Sequence, residues 1–179
     1  RTPDGDLRPE WQQFFTHLGA TGFADLDRRA TMLARQIRDD GVTYNAYRAD
    51  GSAQRPWSLD LLPLLIGADE WAQIEAGITQ RARLLNAVMR DVYGRQRLLR
   101  ESFLPPALIY GHPGYLRPLA GFVPADGVYL HIVAFDLARG PDGAWWLVGN
   151  RTQAPSGLGY ALQNRMIVSR LFPEAFREL

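Results

Sequence analysis

The chain has 179 residues, of which 46% are hydrophobic, 22% charged and 11% aromatic, and its formal net charge is +1. This composition is typical of a globular chain with a sizeable core, and the near-neutral charge gives no reason to expect nucleic acid as a partner. There is no cysteine, and all 20 basic residues are arginine, which excludes disulfides, thiolate chemistry and a lysine nucleophile or phosphate ligand.

The first part of the chain is predicted to be helical. Apolar residues at helical spacing predict one helix that ends at Gly19 and a second that ends at Gly41. Residues 42–47 are rich in β-formers and predict a short strand, and the polar residues 50–56 predict a loop.

A long amphipathic helix is predicted from residue 69 to about Gly94, followed by a short turn that contains Leu98 and Leu99. The proline-rich residues 105–118 predict ordered loops, because aromatic side chains are interleaved with the prolines. The longest apolar run, residues 61–66, is far too short to cross a bilayer, so we expect no membrane association. The absence of cysteine fits a reducing compartment, and we expect a cytoplasmic protein.

Residues 128–150 predict a β-hairpin. Residues 128–135 are almost continuously apolar and predict a buried strand, which makes His131 a core histidine, and residues 141–143 have turn chemistry. A register with Asp136 opposite Val148 would place both on one face with Asn150. The two polar side chains could then bind Mg²⁺, although the spacing alone favours the alternative of an exposed aspartate and a turn asparagine.

A helix is predicted to begin directly after the hairpin. Ser156 is suited to cap it, and the N–H groups of Gly157 and Gly159 would be free to bind an anion. Two turns further, Asn164 and Arg165 could reach a ligand, or they could form an ordinary exposed helix face. The side chains predicted to face the core are Leu158, Leu162 and Met166.

Several segments resemble, in the same order, the circularly permuted ATP-grasp proteins of the second type, which are relatives of glutathionylspermidine-synthase-like ligases. They are GVTYN at 41–45, RPWSLDLLPLLI at 55–66, RARLLNAVMRDVYGRQRLL at 81–99, PPALIYGHPGYLRP at 105–118 and YLHIVAFDLARGPDGAWWLVGNRTQAPSGLGYALQNR at 129–165.

The resemblance implies part of an ATP-grasp fold and a carboxylate–amine (peptide-type) ligase that uses ATP and Mg²⁺. Its substrates would be small-molecule or peptide carboxylates and amines. Asp136 matches the first metal-binding acid and Asn150 the last position of the Glu-x-Asn metal pair, but Val148 stands where that pattern has glutamate. The residues expected to contact the nucleotide or another anion are Ser156, Gly157, Gly159, Asn164, Arg165 and Arg117.

The missing acid leaves an alternative, a degenerate, non-catalytic ATP-grasp module that binds nucleotide, peptide or a partner protein. Helices predicted before residue 100 and strands after it make the fold class α+β, with residues 1–100 and 101–179 as parts of one domain. The chain begins without methionine and stops within a helical pattern. We therefore expect a fragment, inactive alone, of a longer ligase with possible C-terminal domains.

Overall fold

A computed structural model describes residues 4–44 and 55–178. The helices are α1 (Pro9–Ala24), α2 (Leu26–Asp39), α3 (Ala68–Tyr93), α4 (Arg97–Arg100), α5 (Pro106–Tyr110), α6 (Leu158–Leu171) and α7 (Pro173–Glu178). The strands are β1 (Thr43–Tyr44), β2 (Arg55–Pro56), β3 (Ala134–Arg139) and β4 (Trp145–Arg151), which form two antiparallel pairs, β1–β2 and β3–β4. This mixture confirms the predicted α+β class.

The chain divides into two compact units. The first unit consists of residues 1–67 and 156–179, and the second of residues 68–155. This division cuts across the predicted parts 1–100 and 101–179, because the C-terminal helices pack with the N-terminal pair, α7 on α1 and α6 on α2. No helix in the two described ranges has both the length and the apolar character needed to cross a membrane.

The two predicted N-terminal helices are confirmed, with one difference at Gly19. Gly19 adopts φ 62° and ψ 177°, which breaks the helical geometry, yet the helix resumes and continues to Ala24. A positive φ is accessible to glycine without steric strain, so Gly19 ends the first helical segment as predicted, and α1 consists of two helical segments joined at this kink. Gly41, with φ 63°, follows α2 as predicted.

The core of the first unit joins its early and late helices. It comprises Phe14, Leu18, Leu33, Ile37, Ile167, Leu171, Phe172 and Ala175. Arg29 of α2 reinforces this packing, since its guanidinium lies 4.9 Å from the Phe172 ring centre, 2.6 Å from the Glu174 carboxylate, and donates to the Leu171 carbonyl. One largely buried arginine thus connects α2 to both ends of the α6–α7 junction.

The prediction that Leu158, Leu162 and Met166 face the core is wrong. These side chains are 81%, 60% and 40% exposed, whereas Ile167 and Leu171 are buried. Phe172 and Ala175, which follow α6, belong to the same core cluster as Ile167 and Leu171. The face of α6 that is buried is therefore the face that lies next to Phe172 and Ala175. The β1–β2 pair confirms part of the predicted strand, and residues 45–54 lie outside the described range.

The second unit is organised by the long helix α3, which confirms the predicted helix. At its C-terminal end, the Asp91 carboxylate accepts the backbone N–H groups of Arg97 and Leu98 at 3.0 and 2.9 Å, which caps α4. Tyr93 is buried and stacks on Tyr115 with ring centres 5.2 Å apart. These contacts order the proline-rich segment that follows.

The predicted strand over residues 128–135 begins only at Ala134. Asn86 of α3 explains the difference, since its Oδ1 accepts the N–H groups of Tyr129 and Leu130 at 2.8 and 3.2 Å. Its amide group also donates to the Gly127 carbonyl at 3.1 Å. The Asn86 side chain thus forms hydrogen bonds with the backbone groups that a neighbouring strand would otherwise pair with. His131 is exposed, so its prediction as a core histidine is wrong.

Candidate functional site

The predicted turn of the β3–β4 hairpin is confirmed. Gly140 donates its N–H to the Ala144 carbonyl at 2.8 Å, and the Asp142 side chain accepts the Ala144 N–H at 3.0 Å. Gly143 has φ 85°, a conformation that glycine adopts without strain. At the strand pair next to the turn, Glu70 in the first turn of α3 binds Arg139 and accepts the Trp145 indole N–H at 2.8 Å. The hairpin is therefore fixed at its turn and against α3.

The register of the hairpin differs from the predicted one. Asp136 pairs with Gly149 and Leu137 with Leu147, so Val148 is an extra residue in a β-bulge without a partner on β3. Asn150 pairs with Phe135. The prediction that Asp136 lies opposite Val148 is therefore wrong by one residue.

This register separates the two proposed metal ligands. Residues directly opposite in an antiparallel pair share a face, and neighbouring residues of a strand point to opposite faces. Asp136 accordingly shares its face with Gly149, whereas Asn150 shares the other face with Phe135. The structure does not bring Asp136 and Asn150 together on one face, as the metal prediction requires.

Arg151 is the residue that the structure does bring to Asp136. Its Nη2 donates to Asp136 Oδ1 at 2.6 Å, and the two side chains are 54% and 46% exposed. Gly149 leaves space for the pair, because a Cβ atom at that position would lie 3.3 Å from Asp136 Oδ2. Alternate residues of a strand share a face, so Arg151 lies on the same face as Gly149 and Asp136. The predicted register placed Asn150 on that face instead, and Arg151 was therefore not predicted to lie beside Asp136.

The residues present at the hairpin do not fit a Mg²⁺ ion. Mg²⁺ needs several oxygen ligands in near-octahedral geometry, and carboxylates supply most protein ligands. Asp136 is the only carboxylate that the strands β3 and β4 carry, and a guanidinium already binds it. In the two described ranges, no group of three histidine, aspartate or glutamate side chains could hold a metal ion.

The second predicted feature, the start of α6, lies in the first unit. The residue that caps α6 is Gly157, with φ 118°, rather than Ser156, whose side chain makes no capping hydrogen bond. Gly157 and Gly159 line an open cavity of about 560 Å³ with a mixed polar and apolar lining, and a Cβ atom at either glycine would meet no atom within 4 Å. The first N–H groups of a helix have no partner within the helix, so this cavity is suited to an anion.

Arg170 lines the same cavity, and sequence reasoning did not single it out. Helical spacing could have identified it. Gly159, Gln163, Met166 and Arg170 follow one another at steps of four, three and four residues, which places them on one face of α6. Gln163 donates to Asp40 at the side of this cavity, so groups of both charge signs lie there. The helix N–H groups and the Arg170 backbone lie about 16 Å apart along α6, so they line opposite ends of this cavity.

Asn164 and Arg165 line a different, mainly apolar cavity of about 570 Å³ in the same unit. Asn164 Oδ1 accepts the indole N–H of Trp57 at 3.0 Å, and the Arg165 guanidinium lies 5.0 Å from the Phe176 ring centre. Both side chains therefore have contacts within the protein. They do not share a cavity with Gly157 and Gly159.

Arg117, the remaining predicted anion ligand, belongs to the second unit. It is exposed at the start of a short 3₁₀ helix, Arg117–Leu119, with its guanidinium 5.8 Å from the Tyr110 ring centre. Nearby, a cavity of about 700 Å³ has an apolar lining from α3 and polar contributions from His112, His131 and Thr152. Its size and mixed lining are suited to a small organic ligand.

Comparison with known proteins identifies the family. The sequence pattern of the circularly permuted ATP-grasp type 2 family matches residues 63–179. An uncharacterised protein of Mycobacterium tuberculosis is 40% identical over 98% of this chain, which spans 21% of that protein.

Two further uncharacterised relatives are more distant. One from Mycobacterium leprae is 34% identical over 96% of this chain and 30% of its own length, and one from Synechocystis is 33% identical over 78% and 29%. The chain thus spans less than a third of each of these relatives. The family match covers most of the chain, including the hairpin and the start of α6. The chain belongs to the circularly permuted ATP-grasp type 2 family.

Proposed function

We propose that the polypeptide containing this chain is an ATP-dependent carboxylate–amine ligase of the peptide type. In this reaction a substrate carboxylate attacks the γ-phosphorus of ATP to give an acyl phosphate and ADP. An amine then attacks the acyl carbon, which forms an amide and releases phosphate. The observation that carries the proposal is the family match over residues 63–179, which includes the hairpin and the α6 start. ATP-grasp proteins generally bind ATP and Mg²⁺.

For this chain we propose a positioning role at the start of α6. Its free N–H groups would bind the transferred phosphate or the substrate carboxylate, and the absence of side chains at Gly157 and Gly159 would allow close approach. Arg170 would contact a second anionic group of the substrates at the other end of the same cavity. Such contacts act by holding and neutralising the reacting groups, which is the main contribution of proteins to phosphoryl transfer.

The remaining predicted contacts have less support. Arg117 is free to contact an anionic group, because its side chain is exposed. The cavity of about 700 Å³ in the second unit would accept the apolar part of a small-molecule or peptide substrate. We do not propose that Asp136 and Asn150 bind one Mg²⁺ ion, because the hairpin register places them on opposite faces.

The experiment is an assay of ADP and phosphate release by the whole polypeptide. A panel of carboxylates and amines is tested singly and in pairs, with ATP and Mg²⁺. A ligase should release ADP only when both substrates are present and should form an amide detectable by mass spectrometry. Absence of ADP release and amide across a broad panel would count against the proposal.

Two substitutions connect the assay to this chain. Gly159→Ala has open space and no positive φ, so the fold should be retained, while the new methyl group enters the cavity. Arg170→Gln removes the charge. We expect each to lower kcat/KM by about tenfold or more, the effect of one lost charge-assisted contact. Arg177→Gln, which removes an exposed charge from α7, is the control.

A second candidate function is a non-catalytic ATP-grasp module that binds nucleotide, peptide or a partner protein. The observation that favours it is the hairpin, where Asp136 is paired with Arg151 and Val148 occupies the position of the expected acid. This candidate predicts nucleotide binding by the whole polypeptide without ADP release.

A further inference from the structure

We propose that at the hairpin the guanidinium of Arg151 takes the place of a divalent cation. The hairpin would then bind no Mg²⁺ and would offer Arg151 directly to a phosphate group. The inference concerns binding at the hairpin and holds for either candidate function. It follows from the disagreement between the family's metal chemistry and the groups found at this site.

The charge at the site is already balanced. Arg151 Nη2 lies 2.6 Å from Asp136 Oδ1, so the only carboxylate of this face has a positive partner. A divalent cation would have to displace that guanidinium or approach against its charge, and at such distances the repulsion is substantial even at an effective dielectric constant of about 20.

Displacement of Arg151 would also leave few oxygen ligands for a metal ion. Position 149 has no side chain, and Val148 offers no oxygen from its side chain. The Asn150 carboxamide belongs to the opposite face of the hairpin. Without nucleotide, a cation would therefore find Asp136 as the only side-chain oxygen on this face of the hairpin strands, and that carboxylate already has a guanidinium partner.

The guanidinium retains donors for an anion. Arg151 is 54% exposed, and in the described ranges its only polar partner is Asp136, which leaves Nε and Nη1 without protein acceptors. An exposed ion pair contributes little to stability, so Arg151 is not held rigidly. Arginine binds phosphate oxygens through two parallel N–H groups, and the geometry leaves such an edge available.

The first test counts Mn²⁺ ions, as a paramagnetic substitute for Mg²⁺, bound by the whole polypeptide. The loss of the free Mn²⁺ resonance signal gives the stoichiometry without nucleotide. We expect Asp136→Asn to leave the number of bound ions unchanged. We expect Arg151→Glu, which places a second carboxylate beside Asp136, to add one ion. If Asp136→Asn instead removes a bound ion from the otherwise native protein, the proposal is wrong.

The second test measures the binding of inorganic triphosphate to the whole polypeptide in EDTA by calorimetry. We expect measurable binding without divalent ions, and a weakening of about tenfold in Arg151→Gln, equivalent to one charge-assisted hydrogen bond. Arg95→Gln removes an equal, exposed charge from the same unit and should change affinity by less than about twofold. Equal affinities of wild type and Arg151→Gln, or binding only with Mg²⁺, would overturn the proposal.

Both tests measure binding and not turnover. They therefore succeed or fail independently of whether the polypeptide is a ligase. Circular dichroism of each variant checks that the fold is retained, and Arg151→Lys provides a further distinction. It keeps the charge but loses the planar pair of donors, so we expect intermediate triphosphate affinity.

Discussion

The indole N–H of Trp57 donates to the side-chain carbonyl of Asn164 at 3.0 Å, across 107 residues of sequence. Trp57 also stacks on Tyr160 one helical turn earlier, with ring centres 4.5 Å apart. The two contacts fix Trp57 against α6. They give Asn164, which the sequence predicts as a nucleotide ligand, a structural contact within the first unit.

We predict that Asn164→Leu lowers the free energy of unfolding by about 1–3 kcal/mol, because the half-buried indole N–H loses its acceptor. Urea denaturation measures the change, and hydrogen exchange of the Trp57 indole N–H should accelerate. Leu162→Ala, at a 60% exposed position of the same helix, is the control. If Asn164→Leu retains full stability and instead abolishes ATP binding by the whole polypeptide, the side chain is a ligand contact.

The ion pair between Glu70 and Arg139 should contribute measurably to the stability of the second unit. The side chains are only 19% and 16% exposed, and Glu70 also accepts the Trp145 indole N–H. Removal of one partner leaves a largely buried charge, so we expect Glu70→Ala to destabilise by about 3 kcal/mol. Glu70→Gln retains an acceptor and should destabilise less. Thermal and urea unfolding measure both, with the exposed Glu75→Ala as control, and an equal effect of all three variants would contradict the prediction.

Asn86 should protect two backbone amides that no strand protects. Asn86→Asp keeps an acceptor for the N–H groups of Tyr129 and Leu130 but loses the donor to the Gly127 carbonyl, whereas Asn86→Ala loses both. Amide hydrogen exchange at residues 129 and 130 should therefore be slow in wild type, faster in Asn86→Asp and fastest in Asn86→Ala. Equal exchange in all three proteins would show that the side chain does not order this segment.

The stability of the first unit should fall in acid through Asp25. Hydrogen bonds from Arg28 to the Asp25 carboxylate hold the pKa of Asp25 below its usual range. A carboxyl group with a lowered pKa in the folded state stabilises above its unfolded pKa, and that contribution is lost as pH falls through the folded pKa.

Unfolding curves between pH 7 and pH 2 test this prediction. Asp25→Asn and Arg28→Gln should each reduce stability at neutral pH, and the difference from wild type should shrink as the pH is lowered. Because Arg28 is exposed and Asp25 is partly exposed, we expect a small effect that decreases further in high salt. A difference from wild type that is constant over this pH range would refute the assignment.

The elements that were predicted correctly are those specified by residues close together in the sequence. The apolar stripe of α3, the two N-terminal helices and the hairpin turn at residues 141–143 are all found. Each is specified by neighbouring residues, either by helical periodicity or by a glycine that tolerates positive φ. The α+β class followed from the order of these elements.

The features that sequence did not predict depend on distant contacts. Asn86 replaces a neighbouring strand for residues 129 and 130, and Phe172 and Ala175 decide which face of α6 is buried. At the candidate site, the bulge at Val148 shifted the register by one residue and so exchanged Asn150 for Arg151 beside Asp136. Neither a bulge nor a bond across 43 residues has a signature in local periodicity.

The bulge has an evolutionary consequence. Val148 has no partner on β3 and is 69% exposed, so the pairs on either side of it would persist whichever residue stood there. An acidic residue at this position could arise or disappear by substitution with little effect on folding. The hairpin can therefore lose or regain a charged group without a change of architecture, and selection on chemistry can proceed there with little constraint from selection on stability.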